Sequence, residues 1–218
     1  MKFAAIIFDL DGTIINSERQ WGVAFLKVLN KLGVKTNDDH HIRGLSIKSN
    51  WQTILAMYKV ETDKTPEELE TLTYLEYTKL IPEVELNNGV LEFMDTLSES
   101  GLPLALATSA SWEITDKVIN NFKLNDYFEN ITTVEEVVNP KPAPDIFLLA
   151  SEKLGIDPID CLVIEDSQAG VTAAREAGMK VIAIDNNEED ENEVENADLV
   201  VQGFSEISLK AIDSMGED

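Results

Sequence analysis

The sequence predicts a doubly wound α/β protein, with a small all-helical segment inserted after the first strand of a parallel sheet. Three observations predict it. Short apolar runs alternate with amphipathic helical stretches along most of the 218 residues. The runs are continuously apolar, as in strands covered on both faces. Residues 16–82 alone break the alternation.

The elements follow in order. "KFAAIIFDL" is the first strand, and "LPLALAT" (102–108) the second. A weaker candidate lies around "YFENITT", followed by "CLVIED" (161–166), "KVIAID" (180–185) and "ADLVV" (197–201). Between them, "GVLEFMDTLSESG" places Val90, Leu91, Met94 and Leu97 at helical spacing and stops at Gly101. "WEITDKVINNF" is the next helix. "PDIFLLASEKLG" starts with Pro144 at the first helical position and ends at Gly155. "QAGVTAAREAG" closes the series at Gly178.

Within 16–82, "SERQ" reads as a capping box of Ser17 and Gln20. The helix behind it carries Trp21, Ala24, Phe25, Val28, Leu29 and Leu32 on one face and ends at Gly33. "TPEE" (65–68) starts a second helix reaching about Leu80. The expected division is a core of residues 1–15 and 83–218 and a helical cap of residues 16–82 lying over the strand ends.

Composition narrows the function. A formal charge of −24, from 41 acidic against 17 basic residues, repels nucleic acid and acidic membrane surfaces. No run approaches the roughly 20 apolar residues of a membrane span, so a soluble, cytoplasmic protein is expected. The single cysteine, Cys161, sits in a strand-like run and reads as a small buried apolar residue. The acidic run "DNNEEDENEVEN" (185–196) reads as a solvated loop. A phosphorylated substrate would need local positive charge here, which a divalent cation can supply.

Polar groups fall at or just after the carboxyl ends of predicted strands, where open α/β sheets bind ligands. They are Asp9 and Asp11 in "FDLDGT", Thr108, Lys141 in "NPKPAPD", and Glu165 with Asp166 in "VIEDS". Clustered carboxylates form a hard oxygen site suited to Mg²⁺. His40 and His41 are expected away from that cluster and Cys161 is alone, so zinc is not expected. With a metal present, one aspartate can attack phosphorus and the other can handle the leaving-group proton. Thr108 can bind phosphoryl oxygens, and Lys141 can face the charge that develops on them.

These stretches resemble the four motifs of the haloacid dehalogenase superfamily. "DLDGT" resembles the first, "LALATSAS" the second, "KPAPD" the third and "VIEDSQAG" the fourth, in the right order over essentially the whole chain. The resemblance implies a Rossmann-like core and assigns Asp9 as nucleophile and Asp11 as general acid/base. It implies Mg²⁺ held by Asp9, the backbone carbonyl of Asp11 and Asp166, with Glu165 in support. Thr108 and Lys141 would bind the phosphate, and Ser109 beside Thr108 joins them as a candidate substrate contact. A monomer acting on a small phosphorylated metabolite is the expected form.

Departures from the pattern separate the subgroups. β-Phosphoglucomutases usually carry a histidine where this chain has Trp21, and an arginine after a "GxS" stretch where "RGLSIK" has Ile47. "NSExxW" is more similar to hexitol- and deoxyhexose-phosphate phosphatases, with Asn16 in place of an aspartate. Trp21, Arg43, Lys48 and Trp51 are the candidate specificity residues of the cap. The leading expectation is an Mg²⁺-dependent sugar- or polyol-phosphate phosphatase. The alternatives are a β-phosphoglucomutase-type mutase and a non-enzymatic receiver-like module, the last disfavoured by Asp11 and by the helical insertion.

Overall fold

The computed structural model describes residues 2–38, 41–42, 44–185 and 194–216. The candidate Arg43, the histidine at 40 and most of the acidic run 185–196 lie outside the described residues.

A six-stranded parallel sheet forms the centre. Its strands are β1 (Ala5–Phe8), β4 (Leu104–Thr108), β5 (Asn130–Thr133), β6 (Cys161–Glu165), β7 (Lys180–Ile184) and β8 (Leu199–Val201). Their order across the sheet is β5-β4-β1-β6-β7-β8. The chain therefore winds outward from β1 in both directions. Strand order reverses at the carboxyl end of β1, and a ligand crevice opens at such a switch point. Asp9 is the residue that follows β1.

Period-two alternation divides the core. Ile6, Phe8, Leu104, Leu106, Leu162 and Ile164 face one side, with Phe93, Met94 and Phe204 packed among them. Ala5, Ile7, Ala105, Ala107, Cys161 and Val163 face the other. The small residues on that second side let α6 (Asp145–Leu154) and α7 (Gln168–Glu176) lie close to the sheet. Cys161 is buried there and its thiol is pushed up to about 12, chiefly by burial. It is an inert packing residue, as the sequence suggests.

Between β1 and β4 the chain leaves the sheet and returns. The exit strand β2 (Ile15–Asn16) pairs antiparallel with the return strand β3 (Glu85–Leu86), Ile15 opposite Leu86. Asn87 fastens this junction. Its Nδ2 donates to the carbonyls of Gly12 at 2.6 Å and Thr13 at 2.7 Å, and its backbone N–H donates to the carbonyl of Ile14. Between these strands stand α1 (Glu18–Lys31), α2 (Ile47–Tyr58) and α3 (Pro66–Thr78). The core is completed by α4 (Val90–Glu99), α5 (Trp112–Phe122) and α8 (Leu209–Met215).

Local signals explain most helix ends. Thr65 and Glu68 form the expected capping box at α3, behind Pro66. Two expectations shift. Pro144 is the N-cap of α6 rather than its first helical residue. Ser17 stands at the N-cap of α1 without capping it. Its hydroxyl donates to Asp11 instead, and Gln20 donates to the carbonyl of Glu83. The "SERQ" capping box is therefore absent, because a buried carboxylate competes for the same serine and wins.

Candidate active site

Lys141 is the centre of the cluster. It lies in the loop between β5 and α6, is joined to Pro142 by a cis peptide bond, and is 1% exposed. Its Nζ donates to Asp9 Oδ1 at 2.5 Å, to Glu165 Oε1 at 2.8 Å and to the carbonyl of Ala107 at 3.2 Å. The ammonium also lies 4.8 Å from the centre of the Phe147 ring. Burial works against its charge, but Asp9 and Glu165 outweigh burial and hold its pKa above the ordinary lysine value. In Asp9 burial prevails. It raises the carboxyl well above the usual range, and the pull of Lys141 only partly offsets that.

Glu165 is fully committed. Oε1 accepts from Lys141, while Oε2 accepts from the backbone N–H of Asp166 and Ser167 and from the Ser167 hydroxyl. The same hydroxyl accepts from the Gly170 N–H and caps α7. Glu165 thus joins the end of β6, the start of α7 and Lys141. Gly170 makes this possible: a Cβ there would lie 1.7 Å from Glu165 Oε1. In the sequence "QAG" stands only as part of a motif, and nothing local marks this role.

Asp166 completes the carboxylate group. Thr13 Oγ1 donates to its Oδ1 at 3.3 Å. Its carboxylate lies over Gly12, where a Cβ would come within 1.9 Å of Oδ2 and where φ is +86°. Gly12 is therefore required twice, for its backbone conformation and for its missing side chain. Asp9, Glu165 and Asp166 offer carboxylate oxygens that all lie within 4.8 Å of one another. This buried, all-oxygen donor set fits Mg²⁺ better than a softer metal. Asp11, expected among the metal ligands, stands outside that trio through its side chain. Its Oδ1 accepts from Ser17 Oγ at 2.6 Å and from Trp21 Nε1 at 2.7 Å. Burial raises the Asp11 pKa, and these two hydrogen bonds only moderate the rise.

A cleft of about 40 Å³ opens over these groups, lined by Asp9, Asp11 and Thr108 from the sheet and by Trp21, Ile47 and Asn50 from the insertion. Thr108 Oγ1 accepts from the backbone N–H of Ala110. Ser109 also lines the cleft, but its hydroxyl is turned to the carbonyl of Gly44 at 2.8 Å. It ties the insertion to the sheet and does not point free into the cleft.

The insertion candidates divide. Trp21 is buried, stacks on Tyr77 with ring centres 3.5 Å apart, and reaches Asp11. Lys48 does not line the cleft; its Nζ pairs with Glu67 at 2.7 Å on the exposed side of α2 and α3. Trp51 is a core residue whose indole donates to Thr73. The expectation that His41 lies away from the cluster is overturned, because His41 lines the same cleft as Asp9 and Asp11. The loop between α1 and α2 folds back toward the sheet, which helical periodicity does not reveal.

The haloacid dehalogenase-like hydrolase family matches residues 6–184. Hexitol phosphatase B of Escherichia coli (strain K12) is 30% identical over 213 residues, covering 96% of each chain. β-Phosphoglucomutase of Bacillus subtilis (strain 168) is 28% identical over 217 residues, covering 95% of this chain and 93% of the relative. Among solved structures, CbbY from Rhodobacter sphaeroides in complex with phosphate superposes with a TM-score of 0.85 at 25% identity, covering 97% of this chain and 99% of that one.

Proposed function

This chain belongs to the haloacid dehalogenase-like hydrolase family, as a phosphoric monoester hydrolase, and we propose that it is a Mg²⁺-dependent phosphatase of a small sugar or polyol phosphate. The observation that carries this reading is the arrangement at the end of β1. Asp9 is held against Lys141, while Asp11 two residues on is turned aside by Ser17 and Trp21. Two neighbouring carboxylates thus have different partners and are suited to different tasks.

In this reading an Asp9 oxygen attacks phosphorus and the ester oxygen departs with a proton from Asp11. Water, deprotonated by Asp11, then frees the phosphate. Thr108 and Lys141 orient the phosphoryl oxygens and oppose their charge. Asp9 and Asp166, with Glu165 beside them, would hold Mg²⁺, which when bound supplies positive charge to the phosphoryl group. Helices α1–α3 act as a cap. The cleft has room for only a few waters, so a hexose-sized substrate enters when the cap draws back.

Hydrolysis is favoured over mutation of phosphate position by Ile47. It lines the cleft, and the resemblance of "RGLSIK" to the mutase motif puts it where similar mutases carry an arginine that grips a second phosphate. The testing experiment is phosphate release from a panel of sugar, polyol, glycolate and nucleotide phosphates. It is run with Mg²⁺ and with EDTA, beside Asp9→Asn. Release from a hexose or hexitol phosphate that needs both Mg²⁺ and Asp9 is expected. No release from any member, or conversion of β-glucose 1-phosphate to its 6-phosphate with a bisphosphate primer, would overturn it.

A further inference from the structure

We propose that Asn87 is a positioning residue for the metal site: its amide sets the turn after Asp11, and through that turn the carboxylate of Asp166. The inference deepens the phosphatase reading and rests on its premise that Asp9 and Asp166 hold Mg²⁺.

Asn87 belongs to none of the four motif stretches. It follows β3, where the chain re-enters the core. The turn it meets, residues 12–14, is buried. Local backbone bonds take up several N–H groups there. The Gly12 N–H donates to the carbonyl of Ile15 at 2.8 Å, and those of Ile14 and Ile15 donate to the carbonyl of Leu10 at 2.9 and 3.1 Å. The three carbonyls of the turn look to Asn87 instead. Nδ2 donates to Gly12 at 2.6 Å and to Thr13 at 2.7 Å, and the Asn87 backbone N–H donates to Ile14 at 2.9 Å. A side-chain amide suits this place because one nitrogen carries two hydrogens, one for each of the first two carbonyls. Buried carbonyls need donors, so the turn is fixed where Asn87 holds it.

That turn in its place fixes Asp166. Gly12 lies under the carboxylate, where a Cβ would stand 1.9 Å from Oδ2. Thr13 Oγ1 donates to Oδ1 at 3.3 Å. A shift of the peptide between Gly12 and Thr13 therefore moves both the floor beneath Asp166 and the donor beside it. Asp11, whose backbone carbonyl the resemblance assigns to the metal, is the residue before Gly12. Groups that orient the ligands of a metal are typically worth about 10–100-fold in its affinity.

The test is Mg²⁺ binding to the whole, substrate-free protein, read by calorimetry and by the Mg²⁺-dependent rise in Tm. Asn87→Leu keeps the approximate shape and the backbone N–H but removes both amide hydrogens. It is expected to weaken Mg²⁺ binding about 10–100-fold. It is also expected to lower kcat at limiting Mg²⁺, with excess Mg²⁺ restoring kcat and KM for the substrate staying near the wild-type value. Asn87→Gln, which keeps the donors on a longer stem, is expected to bind Mg²⁺ more tightly than Asn87→Leu. A role confined to stability would lower the metal-free Tm and leave the half-saturating Mg²⁺ concentration unchanged. Should Asn87→Leu fail to fold, Asn87→Ser carries the test, because its small side chain admits water to the carbonyls; weaker Mg²⁺ binding is again expected. A half-saturating concentration equal to that of the wild type in a folded variant, or a loss of activity that excess Mg²⁺ does not relieve, would overturn the proposal and leave the phosphatase reading standing. A wild-type protein that binds no Mg²⁺ would overturn both.

Discussion

The indole N–H of Trp21 donates to Asp11 at 2.7 Å, so the first inserted helix holds the residue proposed as acid and base. Ser17, at the head of the same helix, makes the second bond to the same oxygen. Both donors move with α1. Replacing either should leave Asp11 present but less well aimed. Trp21→Phe and Ser17→Ala are each expected to reduce kcat about tenfold, less than Asp11→Asn, since general acid–base catalysis as a whole is worth about 10²–10⁴-fold. Steady-state kinetics on one good substrate checks this. Equal losses in all three variants would mean that Trp21 and Ser17 do more than position Asp11.

Lys141 compensates two buried carboxylates at once, which gives it a structural role beside the catalytic one proposed for it. Lys141→Met leaves Asp9 and Glu165 facing each other without a cation. The expected cost is about 3–5 kcal/mol, measured by urea unfolding at neutral pH. Burial already raises the Asp9 pKa, and without Lys141 it rises further. A folded pKa above the unfolded one favours the folded state as pH falls. The deficit of Lys141→Met should therefore narrow on acidification, while loss of activity persists.

Much of this site was legible because its residues carry their own signals. Asp9, Thr108, Glu165 and Asp166 stand at or beside strand ends that apolar runs mark plainly. Lys141 is flanked by prolines in a short loop. What was not legible depends on contacts between distant segments. Ser17 has every local mark of a cap, yet Asp11 takes its hydroxyl. Lys48 looks like a specificity residue until Glu67, on the next helix, pairs with its ammonium. His41 reaches the cleft because Asn50 and Gly44 turn a loop toward the sheet, and no periodicity encodes that turn.

Gly170 and Gly155 separate the need for space from the need for conformation. Gly155 has φ of +70° and no heavy atom within 4 Å of where a Cβ would stand, so Gly155→Ala costs backbone strain alone, about 1–2 kcal/mol. Gly170 sits in a helix, where alanine is normally welcome, but its Cβ would strike Glu165. Gly170→Ala is expected to cost about 1–3 kcal/mol by overpacking and also to displace Lys141, lowering kcat strongly. Chemical denaturation and kinetics on both variants distinguish the two. Gly155→Ala should keep wild-type kinetics.

Glu76 locks α3 to α1. Its carboxylate is buried and accepts from Lys31 at 2.7 Å and Lys79 at 2.8 Å. Those bonds hold its pKa at about 2, against an ordinary 4.5. A depressed folded pKa contributes stability above the unfolded value and loses it as pH falls through the folded one. The lysines are largely exposed, so water and salt screen the gain to about 1 kcal/mol. Glu76→Gln should be less stable than wild type by that amount at neutral pH. The gap should close as pH falls from about 4.5 to about 2, read from urea midpoints across that range. A constant gap would place the effect in packing instead.

Asp166 offers a test of the metal site that does not depend on turnover. Its carboxylate is set over Gly12, in space that no other residue at that position would leave open, and Thr13 fixes one oxygen. If Mg²⁺ binds there with Asp9, it binds the folded chain and not the unfolded one. Saturation at about a hundred times Kd then adds about 2.7 kcal/mol to stability. Asp166→Asn keeps the shape, and the Thr13 hydroxyl can still donate to the amide oxygen, but a negative charge is gone from the donor set. The variant is expected to fold and to lose most of the Mg²⁺-dependent rise in Tm, with the loss reversed only at far higher Mg²⁺. A rise equal to that of the wild type would move the metal away from Asp166, and a wild-type protein equally stabilised by K⁺ at matched ionic strength would reduce the effect to screening.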